Sequence, residues 1–555
     1  MSHVNPCSLT LSSITFSDGE RYEFGETDTI LIVGPNNSGK SLALKDIKAL
    51  LSNKTPNTLC IKKVETRKSG AGVDLLEYVT KTSPRNGDYY LIDGKNYHSG
   101  SLLNFEKSTS ETHTVGALFL SYVGAETRLT SCTPPKTIDI GKALKTHALH
   151  FLYDSEEQLK SVNELFDNTF GQELVIDYRA GGVIPAHIGK PPKLRKGSNK
   201  TSDSYVMEVR KLPRLETQGD GIRSFAGLVF ETLVTPKSIT LIDEPEAFLH
   251  PPQMKKLGSI LGKDNETQKV ISTHSSNILK GIVDATPSTL RIIRLQREGN
   301  INLSREAPPT RVQNLWDTPE LKYSNALEAI FHERCILTEA DADCRFYNFL
   351  SDYIESTQSD KKYPDTLYVP CGGKSAMSKF ASIITDLGVP TTLIFDIDIL
   401  SNQADLKAAI ESVGGNWSTF SKNWNIVHSN VTQKSSPLTI EQIKSKITEA
   451  LKNSTVDQLP KSEIESFLRE NKPWKVIKKA GKAALPKGDC TKAFNELVSD
   501  LAKINIYVVP VGEIEGFTPE IGGHGPKHIT NVLSTYSANA SELDEARKFV
   551  NSFYT

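Results

Sequence analysis

Three groups of residues in this 555-residue chain have types and spacings suited to phosphate chemistry. The first is Gly34-Pro35-Asn36-Asn37-Ser38-Gly39-Lys40-Ser41, which completes the pattern G-x-x-x-x-G-K-[ST]. In such a loop Gly34 and Gly39 let successive backbone N–H groups, including those of Asn36, Asn37 and Ser38, curl around phosphates. Lys40 reaches the β- and γ-phosphates, and the Ser41 hydroxyl is a ligand for Mg²⁺. The second group is Asp243 and Glu244, with His274 further on. Asp243 is suited to holding Mg²⁺ through water, Glu244 to orienting or deprotonating an attacking water, and His274 to sensing a γ-phosphate. The third group is acidic: Glu339, Asp343, Asp396 and Asp398, joined later by Glu513 and Glu515. Like charges held together repel unless a hard cation neutralises them, and oxygen donors of this kind suit Mg²⁺ or Mn²⁺. An ion so held activates water and stabilises charge on a phosphodiester oxygen.

These residues need strand ends to present them. Thr29–Val33 is an apolar, β-rich run leading into the loop, and Leu42, Leu44 and Ile47 continue it in helical register. Ser238–Ile242 ends in Asp243-Glu244-Pro245-Glu246, and Val270–Ser272 delivers His274. Ligands of open α/β sheets bind outside strand C-termini, so the three sit at one edge. Residues 8 to 33 read as short strands with a turn at Asp18-Gly19; 50 to 215 are irregular, with a helix about Ser155–Phe166. Lys190–Lys200, rich in Pro, Gly and charge, reads as a solvated loop.

Pro308-Pro309 and a linker to about 325 mark the boundary between residues 1–320 and 325–555. Beyond it strands Cys335–Thr338, Leu367–Val369 and Thr392–Phe395 alternate with helices from Asp343 and Ser375, which predicts a small parallel sheet. A strand over Ile504–Val511 leads to Glu513 and Glu515. Residues 412 to 500 form a helical, Lys-rich insertion containing Lys461–Glu470 and Lys472–Lys479 around Trp474. That stretch reads equally as a phosphate-contacting surface and as an ordinary amphipathic cap.

The net charge of -1 excludes a global basic field, though a basic groove beside an acidic metal site sums to the same value. Seven scattered cysteines without a C-x-x-C pair fit reduced thiols. With no run of about 18 apolar residues and no basic-then-apolar N-terminus, the expectation is a soluble cytoplasmic protein without membrane association.

The run 34–41, the segment LIDEPEAFLHP at 241–251 and His274 together resemble ABC-type ATPases of the SMC and RecF kind. That resemblance implies ATP sandwiched between two heads, each completing the other's site with a glycine-rich signature. Gln218–Ser224, ahead of a helix from Phe225 to Leu233, is the matching stretch, though it lacks the serine of L-S-G-G-Q. Ser121–Arg128 is placed as the glutamine loop. Glu339 in ILTEADAD and Asp396-Ile397-Asp398 resemble the motifs of a TOPRIM domain.

The combination is similar to the OLD (overcoming lysogenization defect) family of nucleases, which includes the Gabija nuclease subunit and OLD-type effectors found beside retrons. It implies an α/β chain: an ABC-type P-loop ATPase head, with an inserted region within about 50–215 that is a candidate for dimerisation, followed by a TOPRIM nuclease domain of Rossmann-like parallel sheet. The activity implied is ATP-regulated, metal-dependent DNA cleavage or nicking in antiphage defence, with Glu339, Asp343, Asp396, Asp398 and Glu515 as metal ligands, Glu513 standing as the alternative to Glu515. Lys527 is the lysine expected to stabilise the transition state, while His524 and His528 read as loop bystanders. The implied partners are DNA, further copies in a homodimer or tetramer, and a helicase or a reverse transcriptase with its non-coding RNA. The competing expectation is a non-nucleolytic DNA-binding ATPase acting as a repair clamp or scaffold. Topoisomerase and primase chemistry fit less well, for want of a nucleophilic tyrosine domain and a zinc module.

Overall fold

The computed structural model describes residues 5–92, 95–106, 113, 115–139, 145–263, 266–285, 288–299, 301–307, 325–358, 363–433, 440–453 and 473–554. The linker at 308–324 and Lys461–Glu470 lie outside the described residues. The chain divides into two compact units, Met1–Thr318 and Pro319–Thr555.

In the first unit β1 (Ser8–Phe16) pairs with β2 (Arg21–Glu23), the chain reversing at Asp18-Gly19. Strand β3 (Thr29–Val33) is buried along its whole length and leads through the loop into α1 (Lys40–Ser52). Strand β4 (Ile61–Ser69) pairs with the other side of β1. Downstream come β5 (Leu120–Val123), α2 (Ala125–Thr130), α3 (Asp220–Val229), β6 (Ile239–Asp243), β7 (Gln268–Ser272), β8 (Leu290–Glu298) and β9 (Ile301–Ala307). A six-stranded sheet forms in the order β9-β8-β3-β7-β6-β5, parallel except for β9. With parallel neighbours on both sides, β3 has no polar face to show, which is why it reads TILIV without alternation. Leu9, Leu11, Ile14 and Phe16 of β1 share a core with Ile30, Ile32, Leu44 and Ile47.

Register brings the chemistry together. Ser272 pairs with Asp243 on one side and with Ile32 on the other, so Gly34, Asp243 and His274 leave the sheet at one level. The helix expected from Phe225 starts five residues earlier, at Asp220, and its end over Phe230–Val234 widens into a π-turn where Thr235 N–H donates to the Phe230 carbonyl.

In the second unit β10 (Arg334–Thr338), α4 (Asp341–Thr357), β11 (Thr366–Pro370), α5 (Lys374–Asp386) and β12 (Thr391–Phe395) precede the helical insertion, whose last elements include α6 (Pro473–Ala480). After it come β13 (Ile506–Val508) and α7 (Pro526–Thr535). The sheet is wholly parallel, in the order β11-β10-β12-β13. The chain leaves β10 toward one edge and β12 toward the other, so β10 and β12 flank a topological switch point, where open sheets bind ligands. Leu337 lies opposite Leu393, which sets Glu339 level with Phe395, one residue short of Asp396.

The strand expected over Ile504–Val511 is confined to Ile506–Val508. Pro510 has no N–H for a ladder, and Gly512 turns back at φ +107° with its N–H on the Val509 carbonyl.

One buried side chain stitches the sheet of β1 to the six-stranded sheet. Gln268 Oε1 accepts the Leu11 N–H at 2.7 Å, while its Nε2 donates to the carbonyls of Leu11 (3.0 Å) and Gly25 (2.8 Å). Gln268→Ala strands those buried backbone groups and lowers the stability of this unit by about 2–4 kcal/mol, read as an earlier transition in urea unfolding of the full chain.

Candidate active site

The loop at 34–41 is held in its curled form by conformations that its residues favour. Gly34 and Gly39 have φ of +141° and +95°, and Asn37 has +62°. A Cβ on Gly34 would stand 2.1 Å from the Leu295 carbonyl oxygen, so the loop passes directly over β8. Asn302 of β9 steadies it by donating from Nδ2 to the Ser38 carbonyl. Buried Lys40 donates from Nζ to the carbonyls of Gly34 (2.8 Å) and Pro35 (2.7 Å). Burial lowers its ammonium to about 8, against the pull of Glu244, Glu246 and Asp243.

Asp243 accepts from Tyr122 Oη at 3.0 Å and from Ser272 Oγ. Glu244 sits at φ +48°, a left-handed conformation that a side chain adopts only under constraint. Its N–H donates to the Ser272 carbonyl at 3.0 Å, and its own carbonyl accepts from Nη2 of the fully buried Arg128 at 3.0 Å. His274 Nε2 lies 3.6 Å from Glu244 Oε1. Burial, reinforced by the Lys40 ammonium, holds the imidazole down at about 4, so it is neutral near pH 7. The structure therefore groups Lys40, Asp243, Glu244 and His274. Glu246, beyond the expected set, accepts the His274 N–H (2.6 Å) and Thr273 Oγ1 (2.9 Å) and fixes the histidine's backbone. The stretch 121–128 contributes Tyr122 and Arg128 rather than a glutamine.

In the second unit carboxylate oxygens of Glu339, Asp396 and Asp398 lie within 4.8 Å of one another. Glu339 Oε1 is buried without a hydrogen-bond partner. Burial pushes the Glu339 carboxyl up to about 7, with Lys374 pulling it down and Asp396 and Asp398 pushing it further up. Asp343 stands apart as the helix cap: its Oδ2 accepts the Ala340 N–H at 2.9 Å, which starts α4 two residues before the expected Asp343. Burial raises it to about 6, with Asp396 and Glu515 adding repulsion.

Glu513 and Glu515 form a second group with His524, again within 4.8 Å. Glu515 Oε1 accepts the Gly525 N–H at 2.7 Å and pairs with His524 Nδ1 at 2.6 Å. His524 is thus a partner of the acidic group and not the loop bystander expected. His528 lies buried in α7, its Nε2 3.0 Å from Thr518 Oγ1, and is a core residue.

The lysine expected at the acids is not the one found there. Lys527 is exposed in the first turn of α7 and makes no ion pair among the described residues. Instead Lys374 Nζ lies 2.5 Å from Asp398 Oδ1, and Lys478 Nζ lies 2.7 Å from Asp396 Oδ2 and 3.4 Å from Asp398 Oδ2. Burial opposes the Lys478 charge, yet Asp396 and Asp398 hold its pKa above the ordinary lysine value. The Lys-rich spelling of 472–479 was the available signal for Lys478. Lys374 carried none, because a lone lysine opening a helix resembles any surface residue. Three half-buried carboxylates, one with an orphaned oxygen, fit a hard divalent cation.

Comparison with known proteins agrees with this division. A family model for an AAA domain of the type described for the AbiEii toxin of type IV TA systems matches residues 137–280, taking in β6 and His274 but beginning after the 34–41 loop. A model for the TOPRIM domain of overcoming-lysogenization-defect-like proteins matches residues 330–398, which contain Glu339, Asp396 and Asp398. Over 192 residues the chain is 27% identical to the Old nuclease of Escherichia phage P2. That alignment covers 33% of this chain and 31% of the phage protein, so the chain spans about a third of the relative it matches. Among solved structures, a Pyrococcus furiosus Smc head with an extended coiled coil, bound to the C-terminal domain of ScpA, aligns at 12% identity. It covers 56% of this chain and 99% of that one with a TM-score of 0.34. The Thermotoga maritima SMC head aligns at 13%, covering 54% and 99%, with a TM-score of 0.29. Likeness this distant carries no argument about function.

A histidine held at about 4 when folded and near 6.5 when unfolded binds fewer protons in the native state between those values. Its contribution is present above pH 6.5 and is lost as pH falls toward 4. Thermal melts across this window show that slope in the wild-type protein, and His274→Gln flattens it by about 1–2 kcal/mol.

Proposed function

We propose that this chain, an OLD-family ATPase–TOPRIM protein, is an ATP-regulated, divalent-metal-dependent DNA endonuclease or nickase that acts as an antiphage effector. The observation that carries the reading is the meeting of Glu339, Asp396 and Asp398 at a sheet switch point, in a chain that also assembles Lys40, Asp243, Glu244 and His274. Glu339, Asp396 and Asp398 hold Mg²⁺ or Mn²⁺, which when bound supplies a water of lowered pKa and positive charge against the phosphodiester oxygens. Lys374 and Lys478 set positive charge beside the same carboxylates, where a scissile phosphate needs it. Glu515 Oε1 and His524 Nδ1, 2.6 Å apart, place a further carboxylate and an imidazole at the adjoining loop.

In the first unit Lys40 and the backbone N–H groups of residues 36–39 take the ATP phosphates, with Ser41 and Asp243 serving its Mg²⁺. Glu244 orients the attacking water while neutral His274 reports on the γ-phosphate. The N-terminus of α3, behind Gln218-Gly219, completes the site of a second copy, so the working form is a homodimer or tetramer. DNA is the substrate, and a helicase or a reverse transcriptase with its RNA is the class of partner expected in defence. No described helix is long and apolar enough to cross a membrane.

A non-nucleolytic DNA clamp is the second reading, favoured by the two lysines that already neutralise Asp396 and Asp398. Supercoiled plasmid with Mn²⁺ or Mg²⁺ separates the two. Asp396→Ala lowers cleavage at least about 100-fold, the scale of losing a key electrostatic element of a reaction centre; cutting unchanged by that substitution refutes the nuclease. Lys40→Ala leaves a nuclease that no longer responds to ATP, read by comparing cleavage with and without the nucleotide.

A further inference from the structure

The insertion helix α6 meets the loop beside the acidic site through close main-chain contacts as well as through the Lys478 side chain. A Cβ on Gly512 would lie 2.0 Å from the Lys478 carbonyl oxygen, and one on Gly481 would lie 2.4 Å from the Val511 carbonyl carbon. Two bare glycines therefore let the loop after β13 press against α6 with no side chain between. The Lys482 N–H donates to the Pro510 carbonyl at 2.9 Å, and the Ile397 N–H, within the Asp396–Asp398 segment, donates to the Gly512 carbonyl at 2.9 Å. The helix, the loop and the segment bearing the two aspartates are thus tied together through main-chain contacts.

The Lys478 side chain is differently placed from the backbone that bears it. It ends in three rotatable donors on a flexible stem, and its Nζ reaches Asp396 and Asp398 across one edge of the cluster formed with Glu339. The oxygens it engages belong to the carboxylates that a divalent cation requires. An ammonium and a metal ion held against the same Asp396 carboxylate repel each other at contact distance, so each weakens the other's hold on it.

We propose that Lys478 is a tethered counter-cation which competes with the divalent ion for Asp396 and Asp398, so that metal loading displaces it. Because the α6 backbone stays docked on Gly512, the displaced ammonium remains beside the cluster and becomes available to a phosphate. The insertion then sets the metal concentration at which the site loads, and it supplies a cation only after loading. This rests on the reading of Glu339, Asp396 and Asp398 as metal ligands, and the experiment separates the two claims.

Mn²⁺ is titrated calorimetrically into the full-length protein without nucleotide or DNA. Lys478→Met and Lys478→Gln each bind the ion roughly tenfold more tightly than wild type, the scale expected when a close charge competitor is removed. Lys478→Arg stays within about twofold of wild type because it keeps the charge. Wild-type-like melting of the three variants establishes that each is folded, and having two neutral variants keeps the test open if one is not. Equal or weaker binding in the folded neutral variants overturns the competition while leaving the metal site standing. Binding that persists undiminished in Asp396→Asn shows instead that the ligands themselves were wrongly assigned.

Discussion

Carboxylates gathered in a half-buried cleft raise one another's proton affinity and destabilise the fold that gathers them. The second unit depends on how that repulsion is met. Glu339 leaves β10, and Asp396 and Asp398 leave β12, because parallel pairing at a switch point gives those three exits no other place to go. Burial is the main cause that pushes Glu339 up to about 7, and Asp396 and Asp398 add to it, so the group is tolerated because positive charge from Lys374 and Lys478 comes close. Lys374 comes from the N-terminus of the helix after β11 and Lys478 from the insertion, one from each side of the sheet order. Removing either leaves a buried carboxylate less well compensated, which is costlier than the ion pair is stabilising.

The first unit solves a different problem with the same geometry. Its phosphate loop must offer donors without side chains in the way, and left-handed backbone at Gly34, Asn37 and Gly39 does this. The strain at Glu244 is offset by Arg128, whose guanidinium holds the Glu244 carbonyl from a helix that packs on α3. Gly227 of α3 meets the backbone of Arg128 so closely that a Cβ would stand 2.1 Å from its carbonyl oxygen. The helix behind the glycine-rich stretch is therefore linked to the Glu244 backbone through Arg128.

Much of this was readable before any coordinates. Continuous apolar runs at 29–33, 239–242 and 392–395 announce buried parallel strands, and acids immediately after them are at strand exits by construction. The glycine pattern at 34–41 specifies its backbone. What stayed hidden depends on contacts between distant parts of the chain. Glu246 is an ordinary surface carboxylate until Thr273 and His274 fold beneath it. Asp343 reads as a metal ligand, and the structure adds that its Oδ2 accepts the Ala340 N–H as a local cap, a second role that spacing alone does not reveal. Lys527 and Lys478 are indistinguishable as letters; only the docking of an insertion that begins after β12 and ends before β13 brings the second one to the acids.

That docking has a bearing on how the molecule tolerates change. Gly512 against the Lys478 carbonyl and Gly481 against Val511 form a main-chain joint, to which the insertion adds buried side chains such as Trp424, whose Nε1 donates to the Leu400 carbonyl. At both positions a Cβ would run into the opposing main chain, so glycine there keeps the inner end of the insertion in register with the loop after β13.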